Sequence, residues 1–325
     1  MTLTEEQIGS IVCGTEKIEY KDGLYHLYRY TDGQIRALQQ AKSDAASQKR
    51  IFTIAGVRLS FVTDAAWLRV SLLATSIHPH IFCDILENGV LQHHIQKDTC
   101  CEETVEATLS EGEKLVEVFF PWGCPVQLIG VELPEGATVQ PAKRKNHLVA
   151  YGDSITQGFY AAYPSRSYAN LLARGLDAEI INKGFGGDCF FPALVDGATE
   201  DDPDFVTVAY GTNDWATRSF PVFSENCRGF MESLRKKYPR SRVFVITPLW
   251  RGKIKKEPVI GIPEEKMHDA IAEICKDYPE FTLIRGWDLV PHEEDCFEER
   301  PCLHPNDKGF AFYGENLLAK IKEAL

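Results

Sequence analysis

The sequence predicts two domains: a β-sandwich or jelly roll over residues 1–140, then a doubly wound α/β domain with a parallel sheet over residues 141–325. Three observations carry this expectation. Ahead of Pro141, short stretches of apolar–polar alternation are separated by turn residues, with no long periodic helix between them. Beyond it, apolar runs alternate with segments of helical spacing, as helices covering both faces of a parallel sheet require. Between the two lies Pro134-Glu135-Gly136-Ala137-Thr138-Val139-Gln140-Pro141, which reads as a linker. At 325 residues the chain is also long for a single core.

The first 50 residues are polar and mixed, and Gln34 to Arg50 reads as weakly helical or loop-like. From Ile51 the texture changes. Val57, Leu59 and Phe61 alternate with Arg58 and Ser60, the pattern of a half-buried strand. Trp67 to Leu72 continues it. Ile81–Glu87 and Val90–Ile95 flank Asn88-Gly89, a hairpin signal because both central positions of a type I′ turn need positive φ. Lys114–Phe120 and Val126–Leu133 supply further strands. Trp67 and Trp122 offer surfaces on which a sugar could stack, but tryptophans in a sandwich more often fill a core or an interface.

In the second domain Leu148 to Tyr151 is a nearly continuous apolar run, broken by Gly152-Asp153-Ser154. A short helix follows at Ser167–Gly175. Glu179–Asn182 is the next strand, followed by Gly184-Phe185-Gly186-Gly187-Asp188; Phe205–Tyr210 is the third, followed by Gly211-Thr212-Asn213-Asp214. Phe223, Cys227, Phe230, Met231 and Leu234 mark a helix, Val243–Thr247 a fourth strand, Met267 to Cys275 a helix and Phe281–Ile284 a fifth strand. A final helix starts near Asp307, just after Cys302-Leu303-His304-Pro305-Asn306. The polar punctuation thus falls where strands or loops give way to helices. In a parallel sheet those positions converge on one rim, where ligands bind.

Composition narrows the partners. A formal net charge of −12 argues against a nucleic-acid or anionic-membrane surface, and Lys143-Arg144-Lys145 reads as a solvated linker edge. No apolar run approaches the roughly 18 residues of a membrane span, and Met1 to Glu6 has no signal-peptide character. The ten cysteines show neither metal-ligand nor disulfide-framework spacing, so reduced thiols and a cytoplasmic location are expected. Cys100-Cys101, His93-His94 and His78-Pro79-His80 likewise make no zinc pattern. Neither metal nor other cofactor is expected, and a homo-oligomer is left open.

Ester hydrolysis by serine needs a hydroxyl, a base and donors for the oxyanion. Ser154 supplies the first, on a turn at the carboxyl end of a strand. His304 is the histidine that its context singles out. Gly187 can offer a backbone N–H, Asn213 a side-chain N–H, and Ser154 its own N–H. Asp153 and Asp214 read as carboxylates that tie down turn amides.

These blocks resemble the SGNH/GDSL hydrolase family. Gly152-Asp153-Ser154-Ile155 is similar to its first block, with Ile where Leu is usual; Asn182 to Asp188 resembles the second, Gly211-Thr212-Asn213-Asp214 the third and Leu303-His304-Pro305-Asn306 the fifth. The resemblance covers about residues 146–325. It implies a flavodoxin-like fold that hydrolyses esters or thioesters without a metal. It makes Ser154 the nucleophile, His304 the base, and Gly187 and Asn213 oxyanion donors beside the Ser154 N–H. A β-sandwich ahead of such a domain is similar to the arrangement in carbohydrate-active members.

One position departs from the pattern. The family usually carries Asp three residues before the histidine, where this chain has Pro301. The preceding Glu293, Glu294, Asp295, Glu298 and Glu299 are out of register. The expectation is that a main-chain carbonyl orients His304; the rival is a carboxylate from a shifted loop, with Glu299 ahead of Glu298 and Asp295. The leading function is a serine esterase acting on short acyl, such as acetyl, esters of a carbohydrate or small molecule, its pocket walled by Trp215 and Trp250. The alternatives are a lysophospholipase or acyl-thioesterase, and a non-catalytic carbohydrate-binding protein on a hydrolase scaffold.

Overall fold

The computed structural model describes residues 1–75, 81–97, 102–199, 201–252, 258–299 and 302–325. His78-Pro79-His80, Cys100-Cys101 and Pro301 lie outside the described residues.

In chain order the first half comprises α1 (Glu5–Ile11), β1 (Val12–Cys13), β2 (Lys17–Lys21), β3 (Leu24–Tyr28), α2 (Asp32–Ala41), α3 (Ala45–Arg50), β4 (Arg58–Thr63), β5 (Trp67–Ala74), β6 (Ile81–Glu87), β7 (Val90–Lys97), β8 (Glu102–Thr108), β9 (Lys114–Phe119), β10 (Val126–Glu132) and β11 (Gln140–Pro141). They make two antiparallel sheets, β1-β4-β9-β6-β7 with β11 beside β4, and β2-β3-β10-β5-β8. Leu59, Phe61, Ile85, Val116 and Val118 of the first face Leu27, Val70, Leu72, Val105, Leu128 and Val131 of the second in one buried core, so the alternation does build a sandwich. Asn88 and Gly89 take φ of 51° and 79°, as the type I′ reading requires. The β2–β3 hairpin turns the same way on Asp22-Gly23, with φ of 53° and 80°.

The second half comprises β12 (Asn146–Gly152), α4 (Ser154–Gln157), α5 (Tyr168–Gly175), β13 (Ala178–Asn182), α6 (Pro192–Asp196), β14 (Phe205–Ala209), α7 (Thr212–Thr217), α8 (Phe220–Lys237), β15 (Arg242–Ile246), α9 (Met267–Cys275), β16 (Thr282–Ile284) and α10 (Asp307–Ala324). Its five strands form one parallel sheet in the order β13-β12-β14-β15-β16. Both faces are covered, which is why β12 is apolar and buried from Leu148 to Tyr151. Val149 and Tyr151 join a cluster with α6, α8 and α9, whereas Leu148 and Ala150 join one with α5 and α10.

One segment departs from the expected layout. Gln34 to Arg50, read as weakly structured and assigned to the sandwich domain, forms α2 and α3 and packs on the α/β domain. Tyr30, Leu38 and Ile51 lie in the same cluster as Val149, Phe185 and Leu194. The start of α2 is fixed by a capping box. The Thr31 hydroxyl accepts from the Gln34 N–H at 3.1 Å, and the Gln34 side chain accepts from the Thr31 N–H at 3.1 Å. Gln34 then donates to the Leu194 carbonyl of α6 at 2.8 Å. Trp122 crosses over too: it is buried in the α/β domain, and its indole N–H donates to the Ala161 carbonyl at 2.8 Å. It is therefore no open sugar platform, whereas Trp67 keeps 38% of its surface exposed.

Leu38 is fully buried in the cluster beneath the parallel sheet. Leu38→Ala is expected to cost the whole chain about 2–5 kcal/mol in denaturant unfolding. A loss below about 1 kcal/mol would show that the segment only rests on the α/β domain.

Candidate active site

The carboxyl rim of the parallel sheet gathers the polar turns. β12 ends at Gly152, and Asp153 caps the single turn of α4, its carboxylate accepting from the Ile155 N–H at 2.9 Å. Ser154 is thereby fixed as the first residue of α4, with 8% of its surface exposed. The loop after β13 lies directly on that turn. A Cβ on Gly184 would stand 2.4 Å from the Gln157 nitrogen, so only glycine allows the approach.

His304 arrives from the loop before α10. Its Nε2 lies 2.8 Å from Ser154 Oγ, within hydrogen-bond distance. Its Nδ1 lies 3.0 Å from Glu298 Oε1. The expected main-chain carbonyl is therefore replaced by a carboxylate, and that carboxylate is Glu298 rather than Glu299 or Asp295. The reason is the shape of the loop. Phe297 pairs antiparallel with Pro305, and the Glu298 N–H donates to the His304 carbonyl at 3.0 Å, so Glu298 stands across the loop from His304. Counting residues along the chain does not reveal an acid that arrives from the opposite limb. The same carboxylate accepts from the backbone N–H of Leu303 at 3.1 Å and of His304 at 2.5 Å. Burial distinguishes it: Glu298 is 7% exposed, whereas Glu293, Glu294, Asp295 and Glu299 face solvent. The adjoining apolar pair Cys296-Phe297, also buried, was the signal available in the sequence.

Two further residues escaped the sequence reading. The rings of Phe159 and Tyr160 stack near the imidazole, with centroids 5.6 Å and 5.2 Å away and interplanar angles of 25° and 24°. Tyr160 holds a φ of 68° and is 43% exposed, so it forms a lip beside His304.

Asn213, at the start of α7, reaches across the rim. Its Nδ2 donates to the Asp188 carbonyl at 2.9 Å and makes only a long 3.4 Å contact with Asp153. Gly187 adjoins Asp188, is exposed, and holds a φ of 80° that favours glycine. Asp153, Asp188 and Asp214 are all buried here. Burial pushes the Asp153 carboxyl up to about 6 and that of Asp214 up to about 7, and it raises Asp188 against the pull of Lys42. Asp214 accepts from the Phe190 N–H at 3.4 Å.

Trp215 and Trp250 are placed differently from each other. Trp215 is 6% exposed and braces the following loop, donating to the Ile262 carbonyl at 2.9 Å, so it offers little wall to a pocket. Trp250 is half-buried, stacked on His292 at 5.0 Å and edge-on to Phe297 at 5.5 Å, behind the loop that carries Glu298. Among the described residues, Glu293, Asp295 and Cys296 have metal-ligand spacing, but Lys308 already bridges the two carboxylates at 3.2 Å and 2.7 Å. No helix among the described residues is long and apolar enough to cross a membrane.

Among solved structures, a salicylyl-acyltransferase from a tetracycline biosynthetic pathway is similar over 96% of this chain and 94% of its own, with a TM-score of 0.83 and 23% identity. A family two carbohydrate esterase from Clostridium thermocellum, in complex with cellohexaose, matches over 83% and 93% with a TM-score of 0.65 and 16% identity. An acetyl xylan esterase from the rumen bacterium Butyrivibrio proteoclasticus matches over 84% and 91%, with a TM-score of 0.60 and 16% identity. No curated protein matches the sequence significantly. Residues 150–312, which hold Ser154, Gly187, Asn213 and His304, match the GDSL-like lipase/acylhydrolase family, and the chain belongs to that family of ester-bond hydrolases.

Proposed function

We propose that the chain is a serine esterase that works through an acyl-enzyme on Ser154, with short acyl esters of a carbohydrate or small molecule as substrates. The observation that carries this reading is the line Ser154–His304–Glu298, joined at 2.8 Å and 3.0 Å. In that line His304 Nε2 takes the Ser154 proton as Oγ attacks the ester carbonyl carbon. Glu298 holds Nδ1 protonated, which leaves Nε2 as the acceptor, and stabilises the imidazolium that forms. The tetrahedral oxygen receives hydrogen bonds from the N–H groups of Ser154 and Gly187 and from Asn213 Nδ2. The Asn213 hydrogen that makes only the long contact with Asp153 is free to turn to it. His304 then gives its proton to the departing alkoxide, and water reverses the sequence.

The short-acyl assignment rests on the open side of the site and on structural neighbours. The open side carries Tyr160, an aromatic face suited to a sugar ring. Carbohydrate and acetyl xylan esterases share the fold. The intact Ser–His–Glu line weighs against a binding protein on an inactive scaffold.

Ser154→Ala is expected to lower kcat by on the order of 10⁶ with an unchanged circular dichroism spectrum, and a fluorophosphonate should label the wild type at Ser154 alone. Labelling elsewhere would overturn the assignment. Glu298→Gln keeps the shape of the loop but removes the charge, and is expected to cost about 10⁴ in kcat, whereas Glu299→Gln and Asp295→Asn should cost less than about tenfold. Equal losses at all three would remove Glu298 from the triad. On p-nitrophenyl esters, acetyl should turn over faster than octanoyl; the reverse preference favours the lysophospholipase or thioesterase reading.

A further inference from the structure

The loop that follows β13 is gripped by side chains from a distant part of the sequence. Arg29 donates to the carbonyls of Asn182 and Gly184 at 2.8 Å and 2.7 Å, and Tyr30 donates to that of Gly184 at 3.1 Å. Lys42 holds the Asp188 carboxylate at 2.7 Å. Most telling is Arg50, whose Nη1 donates to the Gly186 carbonyl at 2.9 Å.

That carbonyl belongs to the same peptide unit as the Gly187 N–H. The unit is planar and trans, so its C=O and N–H point in opposite directions. Whatever fixes the oxygen of Gly186 fixes the direction of the Gly187 hydrogen. The unit is the middle one of a turn closed by the Asp188 N–H on the Phe185 carbonyl at 3.0 Å, and the Gly186 N–H donates to Gln157 Oε1 at 2.9 Å. With glycine on both sides, the middle unit of such a turn can face either way without opening the closure. Arg50, bonded to the Gly186 oxygen, holds it in one orientation. Its guanidinium has no carboxylate within 4.0 Å among the described residues, and lies over the rings of Phe159 and Phe185 at 5.6 Å and 5.7 Å. Its charge is therefore directed at the peptide. A cation on the oxygen polarises the amide and strengthens the hydrogen at its far end as a donor.

We infer that Arg50 is a positioning residue for the reaction: it aims and polarises the Gly187 N–H toward the oxyanion, with Lys42 anchoring the next residue. This rests on the esterase reading and adds to it a residue that lies about a hundred positions before the nucleophile, outside the stretch that matches the family. The effect belongs to the transition state, because a ground-state ester carbonyl accepts more weakly than the oxyanion.

The test uses the full chain, with active sites counted by fluorophosphonate titration so that kcat refers to folded enzyme. Arg50→Ala is expected to lower kcat about 10- to 100-fold with KM within about threefold, less than the full loss of an oxyanion donor. Affinity for an alkyl boronic acid, whose adduct with Ser154 presents a tetrahedral oxygen anion, should fall in parallel. Arg50→Lys, which keeps the charge and loses the planar fork, should recover part of both, and it serves as the test variant if Arg50→Ala yields no folded protein. Arg69→Gln, which breaks an exposed ion pair with Glu106 and Glu132 in the sandwich, should change neither. If titrated Arg50→Ala enzyme keeps a kcat within about twofold of the wild type, or loses kcat without losing boronate affinity, the inference is overturned and Arg50 only supports the fold. Persistent activity in Ser154→Ala would instead overturn the esterase reading itself.

Discussion

Two buried cations lock the first third of the chain to the hydrolase sheet. Arg29 is 1% exposed and answers carbonyls rather than a carboxylate, those of Thr53, Asn182 and Gly184. Lys183, fully buried, answers in the other direction, donating to the Arg29 carbonyl, Gln34 Oε1 and Glu16 Oε1 at 2.6, 2.7 and 2.6 Å. Burial lowers the Arg29 pKa and brings that of Lys183 down to about 8. Such charges are tolerated only when every donor finds an acceptor. The arrangement also settles a problem of the sheet. β13 is an edge strand, and beyond Asn182 its carbonyls have no further strand to receive them. Arg29 and Tyr30 supply the missing donors.

The site inherits its geometry from that lock and from the parallel sheet. Strand ends bring Ser154, the loop of Gly187 and the turn of Asn213 to one rim without any of them being close in sequence. The buried carboxylates between them act mainly as staples: Asp153 holds Ile155, Asp214 holds Phe190 and Asp188 meets Lys42. Their raised pKa values mark the cost of placing negative charge in a dry rim, and the same dryness strengthens every bond that an oxyanion would receive there.

Much of this was legible in the sequence, because local rules sufficed. Leu148 to Ser154 announces a buried strand and its turn, and Asn88-Gly89 announces a hairpin. The order of the polar blocks implies a shared rim. Where the outcome depends on chain segments meeting across a loop or across domains, local rules fail. Glu298 stands opposite His304 only because Phe297 pairs with Pro305. Gln34 to Arg50 looks weakly helical because its apolar face is thin: Leu38 is the one large apolar side chain of α2 that is fully buried, and polar bonds, those of buried Gln34 among them, do the rest. Some signals were present and unused, among them the Thr31–Gln34 capping box and Asp22-Gly23. Trp215, expected in a pocket wall, is buried by a loop whose course no sequence pattern records.

The two halves of the reaction machinery are supported in different ways. The limb that carries Glu298 and His304 is closed on itself: the Glu298 N–H meets the His304 carbonyl, and Asn306 Nδ2 donates to the carbonyls of Asp295 and Phe297 at 2.8 Å and 3.0 Å before capping α10. These bonds tie it to that helix. The loop that carries Gly187 is closed by one turn bond, from the Asp188 N–H to the Phe185 carbonyl at 3.0 Å, while the carbonyls of Asn182, Gly184 and Gly186 look outward to Arg29, Tyr30 and Arg50. In the proposed mechanism, proton transfer depends on Glu298 and His304, and the aim of the Gly187 amide on residues 29–50. On that proposal a change in the latter segment alters how well charge is received on the substrate oxygen and leaves the serine, histidine and glutamate in register. The segment ahead of the hydrolase sheet then belongs to the proposed active surface, joined to it by carbonyls rather than by chemistry of its own.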